Sequence, residues 1–261
     1  MSAKQESSLE LLIKNLYEKD CWVDFNIIRQ IIDYGQAAIP LLEDIIRKQL
    51  SRENYTHQGE NFAVIHAIFL LGQLRSQNSL TLILEFLSRE QKYLDALIPE
   101  AIMEDFWEVL YYLGKNQLDL LEEFILEQDN NLFSRLIVCT TLIQIALLEP
   151  GKSKAVVQIF KKLLNLSGED PDFMGLVCSE LLDLKAPELY EPILQCIKKY
   201  QIWPGLLSKE DLLQIYQSKH VRKLKPLDIF KRYEQWRTLK LFARPTEVVL
   251  KVKKSSRIKN Q

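Results

Sequence analysis

The chain has 261 residues, is 47% hydrophobic and 26% charged, and carries a net charge of −1, a composition ordinary for one extended folded unit or two small ones. Its 8 Gly and 9 Pro are too few for the turns of a β-sandwich or barrel of this length, so the composition leans to helix. No apolar run approaches the ~20 residues of a membrane span and no signal-peptide pattern opens the chain. Cys21, Cys139, Cys178 and Cys196 are too scattered for a disulfide framework, so reduced thiols and a cytoplasmic location are expected.

In chain order, Ser7 or Ser8 is expected to cap a first helix whose stripe is Leu9, Leu12, Ile13 and Leu16. Asp24 caps a second through Ile27, Ile28, Ile31 and Ile32, broken at Gly35. Next comes an eight-residue motif, Ile39 to Ile46: apolar, polar or Pro, two apolar, two polar, two apolar. It returns in full from Leu118 and Val157 and more loosely from Leu80 and Glu191, so that the five starts are spaced by 41, 38, 39 and 34 residues. Pro40 near the start of its helix removes an N–H that has no intrahelical partner to lose.

Residues 51–59 read as a loop, and Phe62 to Leu74 as a helix apolar on nearly every side, hence buried between neighbours. This helix is the expected stability centre, with Phe69→Ala or Leu70→Ala costing more than any change in the last forty residues. A connection over 91–99 follows, then one helix from Glu100 to Leu113 closed by Gly114. Asn131 to Leu148 is another long apolar helix, ended by Pro150-Gly151. Phe173 to Leu184 and Pro187 to Tyr200 form a fifth pair. Beyond Trp203-Pro204-Gly205 the periodicity decays. Ser208 caps a helix to about Gln217, a further helix is expected from Leu227 to Trp236, and Val248 to Lys253 reads as extended.

A step of about 40 residues is the length of a stacked helix pair that cannot bury its apolar face alone. The expected architecture is all-α: a right-handed α-solenoid of about five HEAT-like hairpins over 1–218, with a capping N-terminal helix. A basic extension over 219–261, partly helical and then disordered, completes it. From Lys219 onward 14 Lys and Arg stand against 3 acids, leaving 20 and 32 in the rest, so the ends differ strongly in sign.

Several stretches resemble an uncharacterised family of bacterial proteins with HEAT-like repeats: His66 to Arg75, Glu104-Asp105, Phe133-Ser134-Arg135 and Asp183 to Leu189. The resemblance implies the helical-repeat fold and no established activity. Some relatives end in a Cys/His zinc tail of the SEC-C type, whereas this chain has no Cys after Cys196 and a lysine-rich end instead.

Reactive constellations are absent from the sequence. His57, His66 and His220 have no second ligand at i+3 or i+4, so no metal site is expected. There is no nucleophile elbow or phosphate loop, and no cofactor is expected. Glu104, Asp105 and Glu108 beside Trp107 and Tyr111 suit a helix first turn, where the dipole favours acids. The sharper alternative makes them a carboxylate site of a HEAT-like enzyme.

The preferred reading is a non-enzymatic scaffold holding a protein or peptide partner on its concave face, which second helices line in HEAT-like solenoids. The polar positions of these helices change sign along the chain: Glu43 and Asp44, then Glu122 and Glu123, then Lys161, Lys162, Lys198 and Lys199. A nucleic-acid-associated role is the second alternative, through Lys219–Lys225 and the tail residues Lys251, Lys253, Lys254, Arg257 and Lys259. Phe230, Tyr233 and Trp236 would then stack on bases, cap the last repeat, or come with a segment folded back on the acidic body.

Overall fold

The computed structural model describes residues 3–18, 22–52, 62–218 and 221–239, and these are helices joined by short turns, with no strand among the described residues. The first half holds α1 (Ala3–Glu18), α2 (Phe25–Asp33), α3 (Ile39–Leu50), α4 (Phe62–Gln73), α5 (Leu80–Leu87), α6 (Gln91–Leu97), α7 (Glu100–Met103) and α8 (Phe106–Gly114). The second holds α9 (Leu118–Leu126), α10 (Leu132–Leu148), α11 (Ser153–Asn165), α12 (Pro171–Leu181), α13 (Pro187–Lys199), α14 (Lys209–Gln217) and α15 (Ile229–Thr238).

Local chemistry sets these boundaries. Asp24, Asn131, Asp170 and Ser208 each accept a backbone N–H at the start of the helix they precede, and Ser208 with Asp211 forms a capping box. Three copies of the eight-residue motif open α3, α5 and α9, and the other two sit one turn inside α11 and α13. There Pro192 lies within the helix rather than at its start.

Packing runs in two rows. The first helices α2, α4, α8, α10 and α12 touch in succession; on the other side α3 touches α5, and α9, α11 and α13 touch in succession. One apolar core connects Leu9 of α1 to Trp236 of α15. Helix α4 lies between α3 and α8 and is buried from Ala63 to Gly72. Gly72 permits this approach, because a Cβ there would meet Val109 Cγ1 at 3.0 Å and its Cα at 3.3 Å. No single described helix is long and apolar enough to cross a membrane.

Four local expectations need correction. Helix α1 begins at Ala3, ahead of Ser7 and Ser8. The connection over 91–99 contains α6, whose Tyr93 and Leu94 are buried and whose Tyr93 hydroxyl donates to Gln49 O (2.8 Å). The helix expected from Glu100 to Leu113 is broken at Glu104-Asp105, where i→i+3 bonds tighten the turn: Asp105 N to Ile102 O (3.0 Å) and Glu108 N to Asp105 O (3.2 Å). Finally, Phe230, Tyr233 and Trp236 do not cap the last hairpin. Helix α15 returns to the opposite end of the molecule and packs on α4, with Phe230 and Tyr233 against Phe25 of α2.

Candidate functional site

The return path of residues 221–228 is held by side chains of the first helices. Gln144 of α10 accepts from Leu224 N (2.8 Å), Tyr112 of α8 donates to Pro226 O (3.2 Å), Glu108 accepts from Leu227 N (2.9 Å), and Gln73 of α4 accepts from Ile229 N (3.3 Å). A segment outside any helix and without neighbours would leave these backbone groups unsatisfied, so the four polar side chains define its course.

Helix α15 is then anchored by charge. The Arg232 guanidinium donates to Glu108 through Nε (2.9 Å) and Nη2 (2.6 Å) and meets Asp105 Oδ1 through Nη1 (2.8 Å). The other Asp105 oxygen accepts from Trp236 Nε1 (2.7 Å). Glu108 is only 2% exposed, and burial pushes its carboxyl and that of Asp105 above their usual range against the pull of Arg232.

Between this anchor and α12 the returning segment walls a trough. A cavity of about 610 Å³ is bounded by Glu104, Trp107 and Glu108, by Leu136, Ile137 and Thr140 of α10, by Glu180 of α12, and by Arg222, Lys225 and Arg232. Burial raises the Glu180 carboxyl as well, with Asp183 and Glu104 adding to the push. A second cavity of about 600 Å³ shares Glu104, Leu136 and Ile137 with the first and is mainly apolar, lined by Ile98, Met103, Phe133 and Leu176. The sequence placed Glu104, Asp105 and Glu108 in one helix turn; the structure brings them to this trough together with Glu180, Arg222 and Arg232, which no local pattern connected to them. The available signal was the i, i+4, i+7 stripe Ile229, Tyr233, Trp236, which marks a buried face in a segment of basic composition.

The motif positions on the second helices are mostly paired within the chain. Glu43 accepts from Arg47 (2.8 Å) and Ser79 (2.7 Å), Asp44 meets Lys48 (2.5 Å), Glu122 pairs with Lys162, and Lys199 donates to Leu166 O (2.7 Å). Lys161 is half-buried, and Glu123 and Lys198 are exposed. Between α5 and α9 a groove of about 290 Å³ has Leu84, Leu120 and Phe124 in its wall with Glu85, Glu123 and Glu127.

His66 is buried in α4 beside Tyr233. His57, His220, Cys21, and the tail residues Lys251, Lys253, Lys254, Arg257 and Lys259 lie outside the described residues, as does the extended stretch expected at 248–253. Among the described residues no three His, Cys, Asp or Glu side chains form a group that could hold a metal ion.

These features define an all-helical protein whose C-terminal segment completes a mixed apolar and acidic trough on its first-helix side. The chain belongs to the family described as protein of unknown function DUF1186, which it matches over residues 8–239. No curated protein and no solved structure matches it.

Proposed function

We propose that the chain is a non-enzymatic helical-repeat module, a right-handed α-solenoid of about five HEAT-like hairpins, that binds a protein or peptide partner on its second-helix side. The recurring side-chain bonds between positions about one repeat apart support the repeat reading: Gln117 to Gln77 O (3.0 Å), Gln128 to Ser167 O (3.0 Å), Lys162 to Glu122, and Tyr200 to Leu166 O (3.0 Å). Each ties a hairpin to the next, as nearest-neighbour stacking requires. The engagement of Asp105 and Glu108 by Arg232 supports a structural rather than a proton-transferring role for them.

The groove between α5 and α9 carries the binding reading. Its leucine and phenylalanine wall would take an apolar side chain, and Glu85, Glu123 and Glu127 have no ion pair among the described residues. The partner of matching chemistry is a peptide with a large apolar residue flanked by Lys or Arg. Selection of displayed peptides on the full-length chain tests this. Basic-apolar sequences should be enriched, and the double reversal Glu85→Lys with Glu123→Lys should weaken their binding by about tenfold or more. Enrichment of acidic peptides, or affinity untouched by the reversal, would contradict the reading.

A further inference from the structure

We infer that the trough on the first-helix side is a binding site for a small organic cation with an apolar body, of the arylalkylammonium class, whose ammonium lies between Glu104 and Glu180. The site is distinct from the second-helix groove and does not depend on it. Its two cavities, of about 610 and 600 Å³, share Glu104, Leu136 and Ile137 in their linings and so lie side by side. Each lies within the ~300–1,000 Å³ range of small-molecule sites.

The two halves call for opposite chemistry. In the apolar half Phe133 is 48% exposed, and it is the exposed phenylalanine among the described residues. Met103, Leu136 and Leu176 stand around the same space. An apolar ligand body there would remove from water a surface that the fold leaves wet.

The polar half has an excess of acid. Four carboxylates line it, Glu104, Asp105, Glu108 and Glu180, against Arg222, Lys225 and Arg232. Each arginine already faces two carboxylates. Arg232 holds Asp105 and Glu108 at 2.8 and 2.6 Å, and Arg222 lies 3.8 Å from both Glu180 and Asp183. Glu104 is exposed and has no ion pair among the described residues. Its charge reaches both Asp105 and Glu180, whose carboxyls burial already raises. The interior of the trough is therefore electronegative, and one further positive charge would be favoured there. Trp107 in the same wall offers an aromatic surface to a cation. An anion would meet four carboxylates and arginines already engaged, with Lys225 alone in its favour.

Calorimetry on the full-length chain tests the site with four compounds of one size: 3-phenylpropylamine, 3-phenylpropanol, 3-phenylpropionate and phenylalanine. The amine should bind about tenfold or more tightly than the alcohol, and the carboxylate should not bind at about 10 mM. Glu180→Gln should remove most of the amine's advantage. Glu104→Gln, on the exposed rim where folding is not at stake, should weaken the amine about threefold and leave the alcohol unchanged. Phe133→Ala should weaken amine and alcohol alike, and Glu85→Gln, in the other groove, should change neither. Equal binding of amine and alcohol, no binding of the amine at about 10 mM, or an unchanged amine affinity in Glu104→Gln overturns the proposal. Tighter binding of the carboxylate or of phenylalanine would transfer recognition to Lys225, and tighter binding of a Phe-Lys peptide would transfer it to a protein partner; either result also overturns it.

Discussion

The Tyr233 hydroxyl lies 2.5 Å from Nδ1 of His66, 167 positions earlier in the chain. The Tyr233 ring stacks on Trp236 with centroids 5.1 Å apart, and Trp236 stands edge-on to Phe69 at the same distance. The helix expected to be the stability centre and the segment expected to be peripheral therefore share one aromatic cluster. Trp236→Ala should cost about 3–5 kcal/mol, in the range expected for Phe69→Ala. Tyr233→Phe, which deletes the hydroxyl alone, should cost about 1 kcal/mol. Urea midpoints at constant m-value measure these differences. The ranking that set Phe69 or Leu70 above every change in the last forty residues would survive only if Trp236→Ala cost clearly less than Phe69→Ala or Leu70→Ala.

Two ion pairs should differ greatly in consequence. Arg135 and Glu169 have side chains 4% and 1% exposed, and Arg135 also donates to Ile125 O at 2.7 and 3.0 Å. Glu169→Ala leaves a buried guanidinium without its carboxylate and should cost about 3–5 kcal/mol. Lys162, 61% exposed in its pair with Glu122, should tolerate Ala within about 1 kcal/mol. Denaturant titration of the two variants side by side decides this, and equal costs would mean that burial is not the controlling variable.

Much of the helical layout was legible because it follows local rules. The eight-residue motif, Asp24, the Pro150-Gly151 break and the Ser208 cap act within one or two turns. What escaped was set at long range. The break at Glu104-Asp105 serves contacts to Arg232 and Trp236, more than 120 positions later. Tyr93 of α6 is buried by a bond to Gln49 O, 44 positions earlier. Arg232 reads as a surface cation in a basic stretch, and only its carboxylate partners make its burial tolerable. The charges at Glu122 and Lys162 read from the sequence as part of a binding face, and the packing of α11 on α9 also brings them to each other.

Alkaline stability should follow two tyrosines. Burial, with Glu149 accepting from its hydroxyl, pushes Tyr111 from 10.0 up to about 12, and burial near Glu188 does the same for Tyr216. A folded-state value above the unfolded one means the neutral phenol is favoured by folding. This contribution is complete below pH 10 and is lost as pH rises from 10 to 12. The urea midpoint should fall across that window, and Tyr111→Phe should flatten part of the fall. A midpoint independent of pH there would contradict the assignment.

Cys139, Cys178 and Cys196 are buried free thiols. Burial holds the Cys139 thiol far above its usual range, and its bond to Cys196 together with burial does so for Cys178. Alkylation mapped by mass spectrometry should reach Cys139 and Cys178 at least ~10³-fold more slowly in buffer than in denaturant, since the thiolate is the reactive form and opening must come first. Rapid labelling of either in the native state would place it on an accessible surface.

The central claim is that residues 229–238 belong to the same interior as α4 and thereby build the trough. Hydrogen exchange of the intact chain tests it most directly. The account predicts that amides of 229–238 exchange as slowly as those of 62–73 and that Arg232→Ala accelerates the former first. Exchange of 229–238 at the rate of a free peptide, while 62–73 stays protected, would contradict it.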